Sequence, residues 1–293
     1  MTRILPALCR VFSWASALGL AGAVLTLLAF LLSRGLPVLG PRLLFGEASP
    51  VAAVFGEAVV WDGLWPACVG TLLLLVMAAT FAVPLGVLSG IYLAEYATGF
   101  PRRLIAASVD LLAGIPSVLM GLFGFLLILL LRRTLLPSAT PGLLLAAGCL
   151  ALLVLPYLIS TTRTSLEALP ESIRLIGPAL GLSRWQCVAH VLLPAGSRGI
   201  LSGVILAMGR IAEDTAVILL TGVVANAGVP RGLTSRFEAL PFEIYYLAGQ
   251  YQNQAESDRG FGAAVLLLCL TGMCFAVAYL LHRSLERRWQ LRR

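Results

Sequence analysis

The sequence predicts an all-α membrane protein with about six transmembrane helices. Three observations point there. Of the 293 residues, 59% are apolar and only 12% charged, whereas soluble domains carry about 45–50% and about 25%. Six separate stretches approach the roughly 20 apolar residues that a helix needs to cross a bilayer. The 21 basic residues are all arginine, and most fall between alternate stretches. Without a lysine the chain has no Walker A lysine, Schiff-base lysine or Ser–Lys pair. The net charge of +7 then reports loops held on one side of a membrane, with no need for a nucleic-acid partner.

The stretches are justified in chain order. Residues 14–32 follow Arg3 and Arg10. They exceed a signal-peptide core and meet no small-x-small cleavage pattern before Arg34, so they read as a retained anchor. Residues 66–94 form the second span. Residues 104–131 form the third, interrupted by Gly114, Pro116 and Gly121. Residues 141–160, 199–224 and 261–281 supply the remaining three. With the N-terminus inside, thirteen arginines are cytoplasmic, Arg3, Arg292 and Arg293 among them, and seven are external. Arg210 alone is left within a span. The external loops also carry seven acids, including Glu57, Glu238 and Glu243. The bias puts both termini in the cytoplasm, with Arg132 and Arg133 running against it. Residues 1–65 read as an anchor helix with its outer loop, and 66–293 as the transmembrane core.

Three connections are long. Two are external, 34–65 and 225–260. The second is rich in aromatics (Phe237, Phe242, Tyr245, Tyr246, Tyr251), as an interfacial belt or a docking surface would be. The third, 161–198, is cytoplasmic and reads as a helical elbow. Pro170 suits a first helical position, and Gly181 suits a C-terminal cap with positive φ. Ser183 and Gln186 make a capping box that starts a second short helix, which Pro194 is expected to end. Such an elbow can be pushed by another protein.

The elbow resembles the coupling loop of bacterial ABC importer permeases, whose pattern is E-A-A, three residues, G, nine residues, I-x-L-P. Gly181 matches the glycine, and after nine residues Val191-Leu192-Leu193-Pro194 matches the end. Leu180-Gly181-Leu182-Ser183-Arg184-Trp185-Gln186 is similar to the A-L-G-A-[ST]-[KR]-W-Q run of phosphate importer permeases of the PstA type. Pro84-Leu85-Gly86-Val87 with Ile91-Tyr92-Leu93-Ala94-Glu95-Tyr96-Ala97, Gly114-Ile115-Pro116-Ser117-Val118 with Gly121-Leu122-Phe123, and residues 199–207 match further stretches in the same order. The resemblance implies a type I ABC importer permease fold in a bacterial inner membrane. It also implies ATP-binding cassette ATPase subunits, a second permease subunit (a related chain or a second copy), and an extracytoplasmic phosphate-binding protein as partners. On that resemblance Glu171, Leu175, Gly177, Gly181, Ser183, Arg184, Trp185 and Pro194 form the ATPase-coupling elbow. The chain itself needs no cofactor, metal or catalytic residue.

The sequence departs from the pattern twice. The E-A-A triplet falls on Leu175-Ile176-Gly177 and lacks its acid, for which Glu171, one turn upstream, is a candidate substitute. The fifth-span motif A-R-A-I-G-E-T-A-P appears as residues 209–217, with Glu213 in place of the glycine and Asp214 aligned with the glutamate.

Charged side chains in mid-span cost at least about 2.5–3.5 kcal/mol each on insertion scales. Arg210 lies three residues from Glu213 and four from Asp214, within reach on one helical face. One reading is an ion pair tying the span to a neighbour. The other puts Arg210 on the substrate path, where its planar, always-charged fork suits oxyanion oxygens and Glu213 and Asp214 compete for it to prevent trapping. Asp110 is expected to be buried near the Gly114–Pro116 break. Gly199 and Gly203 have the G-x-x-x-G spacing that permits close helix approach. His190 and His282 flank membrane ends. The six cysteines lack C-x-x-C spacing and read as packing residues.

Two other readings stay open. The same architecture could import another oxyanion such as sulfate, molybdate, tungstate or a phosphonate. More distantly, the chain could be a channel or secondary transporter, though no inverted repeat is visible and the elbow would go unexplained. An intramembrane enzyme finds no G-x-S-x-G or H-E-x-x-H motif.

Overall fold

The computed structural model describes residues 4–56 and 59–290. Arg3, Glu57, Arg292 and Arg293 lie outside the described residues, as do the side chains of His282, Arg287 and Arg288. Among the described residues, six helical stretches are long and apolar enough to span a membrane: Cys9–Val38, Trp65–Tyr96, Ser117–Thr134, Leu143–Glu167, Arg184–Glu213 and Gln254–Leu280. Strand-like pairing among them is confined to one bridge between Val223 and Phe237.

Helix α1 (Ile4–Gly35) is followed by short turns at Pro41–Phe45 and Pro50–Val54, and then by α2 (Trp65–Ile91), which widens into a π-turn at Tyr92–Tyr96. The expected third span is two helices, α3 (Gly99–Ala113) and α4 (Ser117–Thr134). Pro116 has no N–H to give and stands in an extended conformation, ψ 142°, as the N-cap of α4, so the helix is interrupted there. Only α4 is apolar enough to span. Asp110, on α3, is exposed, contrary to the expected burial. Arg132 and Arg133 occupy the last turn of α4, where Arg132 Nε donates to the Ala139 carbonyl at 2.6 Å. A cation at a helix C-terminus is favourable on local grounds, which accounts for a pair that defies the charge bias.

Helix α5 (Leu143–Glu167) is the centre of the bundle. It packs on α2, α3, α4, and on α7 (Leu193–Glu213) and α8 (Thr215–Thr221). Between α5 and α7 lie α6 (Glu171–Ala179) and a single turn at Arg184–Cys187. Beyond α8 come α9 (Leu240–Gln250) and the long α10 (Gln254–Gln290), against which α1 and α7 rest. The core is Leu74, Leu75 and Ala78 of α2 with Leu150, Val154 and Leu158 of α5, closed by Ile211 of α7 and Val217 and Ile218 of α8.

Small residues set the spacing on two faces of α5. Gly86 and Gly90 of α2 lie directly against Leu158 and Thr162, where a Cβ would collide. Gly199 and Gly203 of α7 do the same against Ser165 and Thr161, as the G-x-x-x-G spacing anticipates.

Candidate functional site

The elbow is built by local chemistry. Pro170 stands just before α6 as its N-cap, one position earlier than expected, and its carbonyl accepts from Ile173 N at 3.0 Å. Glu171 opens the helix, where a carboxylate meets the positive end of the helix dipole. The helix stops at Gly181, whose φ of +71° only glycine adopts without strain. Leu182 N donates to the Gly177 carbonyl and Gly181 N to that of Pro178, both at 3.0 Å, which is the Schellman pattern. Ser183 then closes a reciprocal capping box. Its Oγ accepts from Gln186 N at 3.3 Å and its own N–H donates to Gln186 Oε1 at 2.9 Å. Gly177 is buried against Cys187, which folds the two helical pieces onto each other.

Pro194 does not end the second piece. The helix runs from Arg184 through a π-turn at Val188–Leu192 directly into α7, with Pro194 in its first turn. The wider π-turn accommodates a ring that has no N–H and would crowd an α-helical carbonyl four residues back. The elbow is therefore helically continuous with the fifth span. On its outside it presents Leu175, Ile176, Leu180 and Trp185, 44–70% exposed, with Arg184 exposed beside them.

Sequence reasoning missed what anchors the elbow. Arg174 Nη1 donates to both oxygens of Glu95 at 2.8 and 3.0 Å, and its Nη2 donates to the Leu166 carbonyl at 2.6 Å. Nearby, Glu167 accepts from Arg102 of α3 at 2.6 Å and from Arg163 at 2.9 Å. Glu95 stands in the I-Y-L-A-E-Y-A run, but nothing local tells a reader that its partner is 79 residues away.

The charged cluster of the fifth span sits at an interruption of the helix. The helix breaks at Asp214, whose ψ of 106° is extended. Asp214 is the N-cap of α8, accepting from Val217 N at 2.9 Å. It is buried, while Arg210 and Glu213 are 54% and 65% exposed at their side chains. The two carboxylates hold Arg210 loosely, at 3.4 Å from Glu213 and 3.9 Å from Asp214. The two carboxylates are placed differently around Arg210. Asp214 caps, Glu213 touches the guanidinium, and most of Arg210's five N–H donors remain open to an anion.

Elsewhere, a cleft of about 720 Å³ between α2, α4 and α5 is lined by residues such as Phe81, Leu85, Phe123 and Leu152, with no charged side chain. It presents no positive charge to an anion. Of the aromatics in the 225–260 connection, Phe237 is fully buried in the core, while Tyr245, Tyr246 and Tyr251 are exposed. Glu238 and Glu243 are both buried at this end. Burial pushes both carboxyls above the ordinary range. A hydrogen bond from Gly228 N, at 2.7 Å, opposes the shift at Glu238, and the charge of Arg259 opposes it at both.

Comparison with known proteins decides the class. Residues 82–291 match the family described as "Binding-protein-dependent transport system inner membrane component". The chain belongs to that family. It is a multi-pass inner membrane transport component and not an enzyme. A phosphate transport system permease protein, PstA, of Yersinia pestis is 33% identical over 78% of this chain and 73% of its own length. PstA 1 of Mycobacterium tuberculosis is 32% identical over 78% and 72%. Among solved structures, a bacterial ABC transporter involved in import of the acidic polysaccharide alginate aligns with a TM-score of 0.59 at 16% identity, covering 94% of this chain and 99% of the other. That likeness establishes the type I ABC importer permease fold.

Proposed function

We propose that the chain is the transmembrane permease subunit of an ABC importer that carries inorganic phosphate into the cytoplasm by alternating access. The observation that carries this reading is Arg210. It is an exposed guanidinium at an interrupted helix, loosely held by its carboxylate neighbours, and it belongs to a chain about one-third identical to phosphate permeases. A fork of N–H donors at fixed charge fits a tetrahedral oxyanion. Glu213 then serves as the returning partner that takes the guanidinium back once the anion leaves.

The elbow lies on the cytoplasmic side, as does each terminus, and residues 161–198 seat it in a separate ATPase subunit. Leu175, Leu180 and Trp185 supply the apolar contact, with Arg184 at its rim. Gly177, Gly181, Ser183 and Pro194 shape the elbow, and Glu171 replaces the absent E-A-A acid. ATP is hydrolysed on the partner, since this chain has no lysine for a phosphate loop. A second permease, related or identical, completes the path, and an extracytoplasmic binding protein delivers phosphate to the far side. Residues 1–65 anchor the 66–293 core.

The test is ATP-dependent anion uptake into vesicles that carry the whole complex. Phosphate is expected to enter, and Arg210→Gln to abolish entry without loss of assembly. Glu213, in the place of a small residue and touching Arg210, favours one second reading, import of a different oxyanion. Preference for sulfate, molybdate or a phosphonate over phosphate in the same vesicles would establish it.

A further inference from the structure

The elbow is covalently continuous with two spans. It follows α5 after a three-residue link at 168–170 and leads helically into α7. It has no such continuity with α2, whose end lies 79 residues earlier in the chain at the Arg174 contact. The backbone of α6 packs on the Arg184–Leu192 stretch. Contact with the end of α2 comes through an apolar cluster, in which Ile91 meets Leu166, Val188 and Leu192 with Ile173 packed against them, and through the polar side chain of Arg174.

That side chain joins three elements at once. One nitrogen holds both oxygens of Glu95 in the π-turn that ends α2, and another holds the Leu166 carbonyl in the last turn of α5. The guanidinium also stands at the C-terminus of α5, where the helix dipole favours a cation. The pair is half-buried, with side-chain exposures of 15% for Glu95 and 30% for Arg174, so solvent screens it less than a surface pair. The Arg102–Glu167–Arg163 network is more exposed and ties α3 to α5 without involving α6 or the Arg184 turn.

Apolar surfaces attract without direction, so a greasy cluster alone lets the elbow slide across α2. A guanidinium bonded to a carboxylate and a carbonyl fixes both distance and orientation. We infer that Arg174 and Glu95 form a clasp that makes the end of α2 travel with the elbow, so that a push from the ATPase reaches the second span as well as the fourth and fifth. They are positioning residues. This rests on the reading of the elbow as the ATPase contact.

Two measurements on the whole complex, with its ATPase and binding protein, test the clasp. The first is anion uptake per ATP hydrolysed for Glu95→Gln, Arg174→Gln and the double variant. Each single change is expected to lower the ratio about fivefold or more, and the double change no further than either. Glu95→Gln keeps size and a hydrogen-bond acceptor, and co-purification of the ATPase reports that assembly is intact. Unchanged ratios, or a double effect equal to the product of the singles, overturn the clasp.

The second needs no transported anion. Spin labels at Ser172→Cys and Thr98→Cys, both exposed positions, report the separation of the elbow from the end of α2. That separation is expected to stay fixed when ATP is added, and to change with ATP in the Glu95→Gln background. Equal behaviour in both backgrounds overturns the clasp. Uptake of some anion other than phosphate by the unaltered complex corrects the cargo alone.

Discussion

Asp214 Oδ2 stands 3.9 Å from Arg210 Nη2, while its other oxygen accepts the Val217 N–H at 2.9 Å. The shorter contact defines the residue: Asp214 is first a helix cap, and only then a counter-charge. Asp214→Ala should therefore lower stability by about 0.5–2 kcal/mol, the usual worth of a cap. Asp214→Asn, which can accept the same bond, should lose little. The thermal unfolding midpoints of the two purified variants check this.

Arg210 should respond in the opposite way, through transport and not through stability. Removing hydrogen bonds to a charged group costs about 1.5–3 kcal/mol, or about 10–100-fold. Arg210→Gln should reduce uptake by at least that range with an unchanged melting midpoint. Arg210→Lys keeps the charge but loses the fork, and should retain a fraction of uptake at a raised KM for the anion.

Trp185 projects from the elbow at 57% exposure, so its truncation removes little of the chain's own packing. Trp185→Ala should weaken ATPase association by about 2 kcal/mol or more, the scale of a buried aromatic anchor at an interface. Titration of the ATPase onto the purified membrane component reads that loss, and the component's own unfolding midpoint should not move.

Gly181→Ala puts a side chain at φ +71°, a left-handed conformation that costs about 1–2 kcal/mol. The strain falls on the bend between α6 and the Arg184 turn. Faster amide exchange confined to residues 177–187 should reveal it, and Gly181→Asn should show less of it.

Glu238 and Glu243 carry a pH signature. Desolvation raises both carboxyls, so between the ordinary carboxyl value and the raised ones the folded protein holds protons that the unfolded chain releases. Stability therefore falls as pH rises through that window. Glu243→Gln removes one of the two contributions. The slope of unfolding midpoint against pH should be shallower in the variant.

The bend of the elbow was legible, because its signals are local: a glycine where φ turns positive, and Ser183 with Gln186 three residues on. The number of spans was legible too, since length and hydropathy decide it. The break at Asp214 was hidden by the apolar run that follows, which hydropathy reads as one continuous span. A cap residue there was in plain view, but only the unpaired N–H groups of a new helix give it meaning. Pro194 misled for a related reason. A proline forbids an α-helical hydrogen bond, yet a π-turn in front of it lets the helix continue. Arg174 and Glu95 were both read only as charges or motif letters, since a pairing across 79 residues depends on how α2 and α5 pack.

The glycine seams on either side of α5 also restrict how the molecule can move. Leu158 and Thr162 are keyed into α2, and Thr161 and Ser165 into α7, so α5 cannot rotate on its axis without unseating both neighbours. What remains open to α5 is a tilt of its axis. With 25 residues in α5 and about 1.5 Å of rise per residue, a tilt of about 5° moves its far end by about 3 Å. A small angular stroke at the elbow end of α5 is thus delivered to its opposite end as a displacement of ångström size.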